Sequence, residues 1–347
     1  MNNQPFFSII IPMYNAGKYV ARAIDSVLSQ NFESVEIIVA NDGSTDNGAE
    51  VVRSYAEKDG RIILINKENG GVSSARNCAM YAAKGMYMFF LDSDDIMWEN
   101  ALLNAHRVIT ENSYPDVLQT GRVKDLKGEL IYADIKDENY DFAKEGLTKD
   151  ERAVRIWYDK PMGGSFDIVC TKFMKTEFIK NNGISFSTTY HAQEDNDLVF
   201  KIFRKADTVV HADFVSFCYY KYTENSVSSS WSSRSAASIL NRWASFYFCE
   251  APYMNLSKPY RDMVAEEKHK FLLKVRGGLF KLANQYSAEQ AEPLLVLIEH
   301  FFEKEIRKLP YKKERFSYMY PFYKLLGVRR TVYLFRKLVK IRDFNKK

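Results

Sequence analysis

The sequence predicts an α/β fold, a mostly parallel sheet flanked by helices, followed by a smaller helical C-terminal region. Three observations lead there. The first hundred residues alternate short apolar runs with amphipathic stretches, the pattern of parallel strands joined by right-handed helical crossovers. Each apolar run ends in polar or glycine residues, most abruptly at Phe89-Phe90-Leu91-Asp92-Ser93-Asp94-Asp95. Beyond a serine-rich connector at 226–235, strand patterns give way to helical ones.

Taken in order, residues 6–11, 35–40, 61–65 and 86–91 read as strands, the last of them buried on both faces. Residues 19–30 suit a helix with Val20, Ala23, Ile24, Val27 and Leu28 on one face. Further helices fit 46–58, 72–83 and 97–111, and 117–123 is a strand. The stretch 124–160 is polar and charged and offers no clear element. A helical pattern over 170–181 closes at Gly183, and 194–205 is a helix opening on Glu194, Asp195 and Asp197. Residues 208–222 alternate like a strand, while 236–250, 260–285 and 288–308 read as helices. The domain boundary therefore falls near the serine run, giving domains 1–228 and 229–347.

Length and an apolar content of 46% supply a large core and a smaller one. The four cysteines (Cys78, Cys170, Cys218, Cys249) are widely spaced and lack any Cys-x-x-Cys, which fits free thiols in a reducing compartment. The start has no signal-peptide pattern, and no run approaches the ~18 apolar residues of a membrane span. A cytoplasmic location is expected. The formal charge of +5 is unevenly placed. From Glu305 onward there are fourteen Lys/Arg against three Asp/Glu, a net of +11, which leaves −6 for the first 304 residues.

The chemistry concentrates at the strand ends. In open α/β sheets ligands bind in the crevice outside the C-terminal ends of the strands. Three carboxylates within four residues repel one another, and a divalent cation removes the conflict. Oxygen donors with Asp-x-Asp spacing suit hard ions such as Mg²⁺ or Mn²⁺. A helix cap at Asp94 or Asp95 is the plainer reading, but capping needs one carboxylate and not three. Asp42-Gly43-Ser44-Thr45-Asp46 serves equally as a turn with a helix cap or as an acceptor for a base or ribose. Asn69-Gly70-Gly71 with Arg76 is either a plain loop or a close backbone approach with a cation for a diphosphate. There is no G-x-G-x-x-G, Walker A, H-E-x-x-H or G-x-S-x-G.

Pro12-x-Tyr14-Asn15, Asp42-Gly43-Ser44-Thr45-Asp46, Asn69-Gly70-Gly71 through Ser74-Ala75-Arg76-Asn77, Leu91-Asp92-Ser93-Asp94-Asp95 and Glu194-Asp195 stand in that order. The series resembles the family 2 glycosyltransferases, inverting enzymes of the GT-A fold, of the bacterial surface-polysaccharide type. It covers about residues 5–228. The resemblance implies a nucleotide-sugar-binding half, about 1–123, and an acceptor half, about 124–228. Pro12, Tyr14, Asn15, Asp42, Asn69 and Arg76 would line the nucleotide pocket, with Asp42 facing the uracil or ribose. Asp94 would hold the metal directly, Asp92 the ribose or a metal-bound water, and Asp95 would face the donor sugar. Asp195 would be the general base and Glu194 its neighbour. Many relatives carry a metal-reaching histidine near Thr223, where this chain has none, which leaves Glu224 or water as a third ligand.

The implied activity is Mn²⁺- or Mg²⁺-dependent transfer from a nucleotide sugar, a UDP-sugar, to a hydroxyl of a glycan or lipid-linked glycan in capsule, O-antigen or exopolysaccharide synthesis. Two rivals share part of the pattern: a nucleotidyltransferase, which needs no Asp195, and a non-catalytic nucleotide-sugar-binding subunit. In the tail, Leu325, Val328, Val332, Phe335 and Val339 recur at helical spacing between cationic faces. Such a helix lies on an anionic membrane surface, here through residues 305–347, or packs its stripe on the protein. No nucleic-acid module accompanies the charge, so nucleic acid is not an expected partner.

Overall fold

Strand β1 (Phe7–Met13), buried along its whole length, is the spine about which the first half of the chain is wound. The structure, a computed structural model, describes residues 4–126, 129–132, 146–159, 168–188, 194–220, 254–284, 288–308, 322 and 325–344. After β1 come α1 (Val20–Leu28), β2 (Val35–Asp42), α2 (Gly48–Ala56), β3 (Ile62–Lys67), α3 (Val72–Ala82) and β4 (Tyr87–Phe90). Then follow β5 (Ile96–Met97), α4 (Ala101–Glu111), β6 (Val117–Leu126), β7 (Glu129–Tyr132) and α5 (Lys149–Asp159). A 3₁₀ turn (Val169–Thr171), β8 (Lys172–Lys175), α6 (Thr176–Asn181), α7 (Glu194–Lys205) and β9 (Val209–Tyr220) complete this part.

Among the described residues, nine strands form one sheet of order β3-β2-β1-β4-β8-β6-β9-β5, with β7 paired to β6. Parallel ladders join β3, β2, β1 and β4, and join β6 to β9; β8 enters antiparallel between β4 and β6. β1 has β2 and β3 on one side and β4 on the other, so the winding reverses between β1 and β4. In a sheet of this kind the crevice at such a reversal is the ligand site. The acids after β4 and the Tyr14–Gly17 turn after β1 flank that crevice.

The strand–helix alternation of the first ninety residues stands where the sequence predicts it. Three departures have physical causes. The helix predicted over 97–111 starts only at Ala101, because Ile96–Met97 pairs with β9 at Cys218 and Phe217. Neither Asp94 nor Asp95 caps it. The helix predicted over 170–181 is a 3₁₀ turn, a strand and a short helix. Phe173 and Met174 are fully buried between β4 and β6, and that pairing overrides the local helical pattern. In the unassigned 124–160 stretch, α5 begins with a reciprocal cap. Glu151 N–H donates to Thr148 Oγ1 (3.2 Å) and Thr148 N–H to Glu151 Oε2 (3.0 Å).

At the end of β1 opposite the site, Gly85 lies against the backbone of Phe7 and Ser8. Its N–H donates to Ser8 Oγ (2.8 Å) and to the buried Glu36 (3.0 Å). A Cβ there would sit 2.5 Å from Ser8 N and 2.6 Å from Phe7 C, which are backbone atoms that cannot swing away. Gly85→Ala is expected to cost about 1–3 kcal/mol. A urea midpoint equal to wild type would refute this account of the contact.

The chain divides into two compact units, Met1–Glu224 and Asn225–Lys347. The second contains helices Lys258–Asn284, Ala288–Leu297 and Glu303–Lys308, with a π turn at Ile298–Phe302, and the tail helix Val328–Phe344. The predicted helix 236–250 and the serine run lie outside the described residues. Leu279, Ala291, Leu295 and Phe302 form the core of this unit with Val328 and Val332 of the tail helix. Arg329 pairs with Glu292 and Glu299, and Tyr333 donates its hydroxyl to Glu292. For Val328 and Val332 the packing alternative therefore holds, while Leu325 (80% exposed) and Leu338 face outward. Among the described residues no helix is long and apolar enough to cross a membrane. Cys78 and Cys170 are free thiols; Cys249 is outside the described residues.

Candidate active site

The turns after β1, β2 and β3 are knitted together by their own polar side chains. Pro12 is buried at the end of β1, whereas Tyr14 is 54% exposed beside it. Asn15 adopts φ +49°, a left-handed conformation that asparagine tolerates well. Its N–H donates to Ser44 Oγ (3.0 Å), and its Oδ1 accepts from Thr45 N–H (2.8 Å). Asp42, buried at the end of β2, accepts from Lys67 Nζ, from Gly70 N–H (3.0 Å) and from Gly71 N–H (2.7 Å). Asn69 donates to the Asp42 carbonyl at 3.0 Å. Gly71, at φ +85°, turns the chain into α3, a conformation glycine adopts without a Cβ penalty. Asp42 thus builds the Asn69-Gly70-Gly71 loop. Lys67, which the sequence did not single out, offsets its charge.

Arg76 of α3 is the hub. It is 3% exposed and donates from Nη1 to Asp195 Oδ1 (2.8 Å) and Glu194 Oε1 (3.1 Å), and from Nη2 to Asp92 Oδ1 (2.8 Å). The guanidinium lies 5.1 Å from the centre of the Phe186 ring. One arginine therefore joins the acids after β4 to the acids opening α7, more than a hundred positions further along the chain. The second oxygen of Asp195 accepts from Val169 N–H at 3.3 Å. Asp95 is 1% exposed, and its Oδ1 accepts from Tyr220 N–H (3.0 Å). Arg22 of α1 donates to the Asp94 carbonyl and stacks 4.2 Å from the Tyr220 ring centre. Residues 221–228, including Thr223 and Glu224, are outside the described residues.

Residues 8–168 match the family model described as Glycosyl transferase family 2. Over those residues the chain is similar to the family 2 glycosyltransferases. It is 31% identical to the uncharacterized glycosyltransferase EpsJ of Bacillus subtilis over 224 residues, 62% of this chain and 61% of that protein. Matches of this kind span about three-fifths of the length of the first curated relatives. S. aureus TarS 1–349 in complex with UDP-GlcNAc superposes with a TM-score of 0.65 at 21% identity, covering 96% of this chain and 91% of that one. The mannosyltransferase PcManGT of Pyrobaculum calidifontis, in complex with GDP-Man and Mn²⁺, gives 0.52 at 17%, covering 96% and 87%. These likenesses show the fold, a GT-A architecture.

The electrostatics of the acids differ from site to site. Burial disfavours the charge on Arg76, but Asp195, Asp92 and Glu194 outweigh it and hold the guanidinium more firmly protonated than usual. Burial pushes the Asp195 carboxyl up to about 6; Arg76 pulls it down, and Glu194 and Asp92 push it up. Asp94 is raised by burial and then by the charge of Asp92. Asp95 is raised well above the carboxylate range, by burial first and by Asp92 and Asp94 next. Among the described residues no hydrogen-bond donor reaches Asp95 Oδ2. Three crowded acids, one with an orphaned buried oxygen, fit a cation beside them. Among the described residues no three His, Cys, Asp or Glu side chains converge as a self-sufficient metal cage. The fit is to an ion shared between one or two carboxylates and substrate phosphates, the usual manner of Mg²⁺.

Proposed function

We propose that this chain is a metal-dependent inverting glycosyltransferase. It would move a sugar from a UDP-sugar to a hydroxyl of a glycan or lipid-linked glycan, in bacterial capsule, O-antigen or exopolysaccharide synthesis. One observation carries the reading: Arg76 brings Asp92 and Asp195 to a single guanidinium beside the switch point of the sheet. A nucleotidyltransferase needs no acid at position 195, so this convergence favours glycosyl transfer. The UDP-GlcNAc held by TarS and the Mn²⁺ held by PcManGT supply the donor class and the cofactor class by analogy.

In this reading residues 1–228 are the catalytic domain. Pro12, Tyr14, Asn15, Asp42 and Asn69 line the nucleotide pocket, with Asp42 and its loop shaping the base end. Asp94 and Asp92 would hold Mn²⁺ or Mg²⁺. That ion supplies Lewis-acid neutralisation of the leaving diphosphate. Asp195 takes the proton of the acceptor hydroxyl. Arg76 and the Val169 amide fix its two oxygens, and Glu194 shares the guanidinium. Asp95, tied to the Tyr220 amide, backs the donor-sugar pocket. Arg76 acts by keeping the acids in register, because its Nη donors already face them.

Thermal stabilisation tests the reading. UDP with Mn²⁺ at about a hundred times its Kd should stabilise the protein by roughly 2.7 kcal/mol, and Asp94→Asn should remove the part that depends on metal. No Mn²⁺-dependent shift with UDP would overturn the proposal. We also place residues 305–347 against an anionic membrane surface, from their net +11 charge and the outward Leu325 and Leu338. Co-sedimentation with phosphatidylglycerol vesicles at low salt is the expected result. Equal partition with neutral vesicles would remove this contact.

A further inference from the structure

Arg22 is an exposed arginine on the outer face of α1, yet it has two committed partners. It donates to the backbone carbonyl of Asp94, and its guanidinium stacks on Tyr220 with 4.2 Å between its carbon and the ring centre. Tyr220 is tied to the same loop a second time, through its N–H to Asp95 Oδ1 at 3.0 Å. The loop is held at its ends by the sheet. Leu91 N–H donates to the Ile10 carbonyl (3.0 Å), and Ile96–Met97 pairs with β9. Within the turn, Asp95 N–H closes onto the Asp92 carbonyl (3.0 Å). Arg22 therefore supplies a side-chain anchor at the residue whose carboxylate would meet the metal.

We propose that Arg22 and Tyr220 form a clasp that positions the Asp92–Asp95 loop for metal binding. The inference rests on the metal site of the proposed function. A guanidinium suits the task because its planar fork donates in a fixed direction while its face packs on an aromatic ring. A lysine at the same place keeps the charge but loses the stack and the fork. The clasp lowers the cost of ordering the loop when the ion arrives, so its loss weakens metal binding without touching a ligand.

The test measures free Mn²⁺ by electron paramagnetic resonance during titration of the full chain saturated with UDP. Arg22→Ala should weaken Mn²⁺ about tenfold, and Arg22→Lys should recover only part of that loss. Tyr220→Leu should weaken it in the same direction, and Tyr220→Phe, which keeps the ring, should not. UDP affinity without metal should stay at the wild-type value in all four variants, a readout that general loosening of the fold would move. Unchanged Mn²⁺ affinity in folded Arg22→Ala would overturn the clasp, as would full recovery by lysine. Wild-type protein that takes up no Mn²⁺ with UDP would overturn the proposed function and the clasp with it.

Discussion

Asp195→Asn should lower kcat by ~10²–10⁴-fold, the usual worth of a positioned general base, while UDP with Mn²⁺ still raises the melting temperature. The substitution keeps the shape and removes the proton acceptor. The pH dependence follows from the same group. With its carboxyl pushed up to about 6 by burial, Asp195 is ionised above that value and protonated below it, so as the proposed base it would accept a proton only above it. In wild type kcat/KM should therefore rise with pH through about 6 and level off. The asparagine variant should lose that limb. Retained turnover, or an unchanged acid limb in the variant, would remove Asp195 as the base.

Arg76→Met should be the most destabilising change in the site. It leaves Asp92, Glu194 and Asp195 facing one another with no counter-charge, and loss of one partner of a buried ion pair typically costs 3–5 kcal/mol. These acids retain some access to water, so the expected loss is about 3 kcal/mol. That corresponds to a fall in melting temperature of roughly 6–12 °C for a unit of this size. Arg76 also lowers the Asp195 pKa, so whatever activity survives should have its acid limb shifted to higher pH. Arg76→Lys can meet one acid at a time and should fall between the two. A methionine variant as stable as wild type would show that the guanidinium does not hold the acids together.

Much of the fold was legible because buried parallel strands announce themselves. Ile9-Ile10-Ile11 and Ile37-Ile38-Val39 are continuous apolar runs, and each stops at a polar turn. β8 was not legible. Lys172-Phe173-Met174-Lys175 is four residues long, and its strand partners, β4 and β6, lie more than fifty positions earlier. The cap of α5 was legible in principle, since Thr148 and Glu151 have the spacing of a reciprocal cap.

In the site, the candidate acids could be picked from the sequence but not their union. The partners of Arg76 lie 16, 118 and 119 positions away, and no local pattern encodes that. Arg22 was not singled out in the sequence, because its partner Asp94 lies 72 positions off. For Asp42 and Arg76 the residues alone left a structural reading open, and ligand contact was what the family resemblance implied. The structure adds what their side chains bond to within the protein.

Under the proposed function, the bonding of Asp42 bears on any attempt to retune the pocket toward a different nucleobase. A carboxylate has about four acceptor positions, and three here are committed to Lys67, Gly70 and Gly71. Altering Asp42 would dismantle the glycine turn that launches α3, and with it the placement of Arg76. In the proposed nucleotide pocket, Tyr14 is exposed and stands clear of that scaffold, so it is the lining residue to vary without loosening the acids.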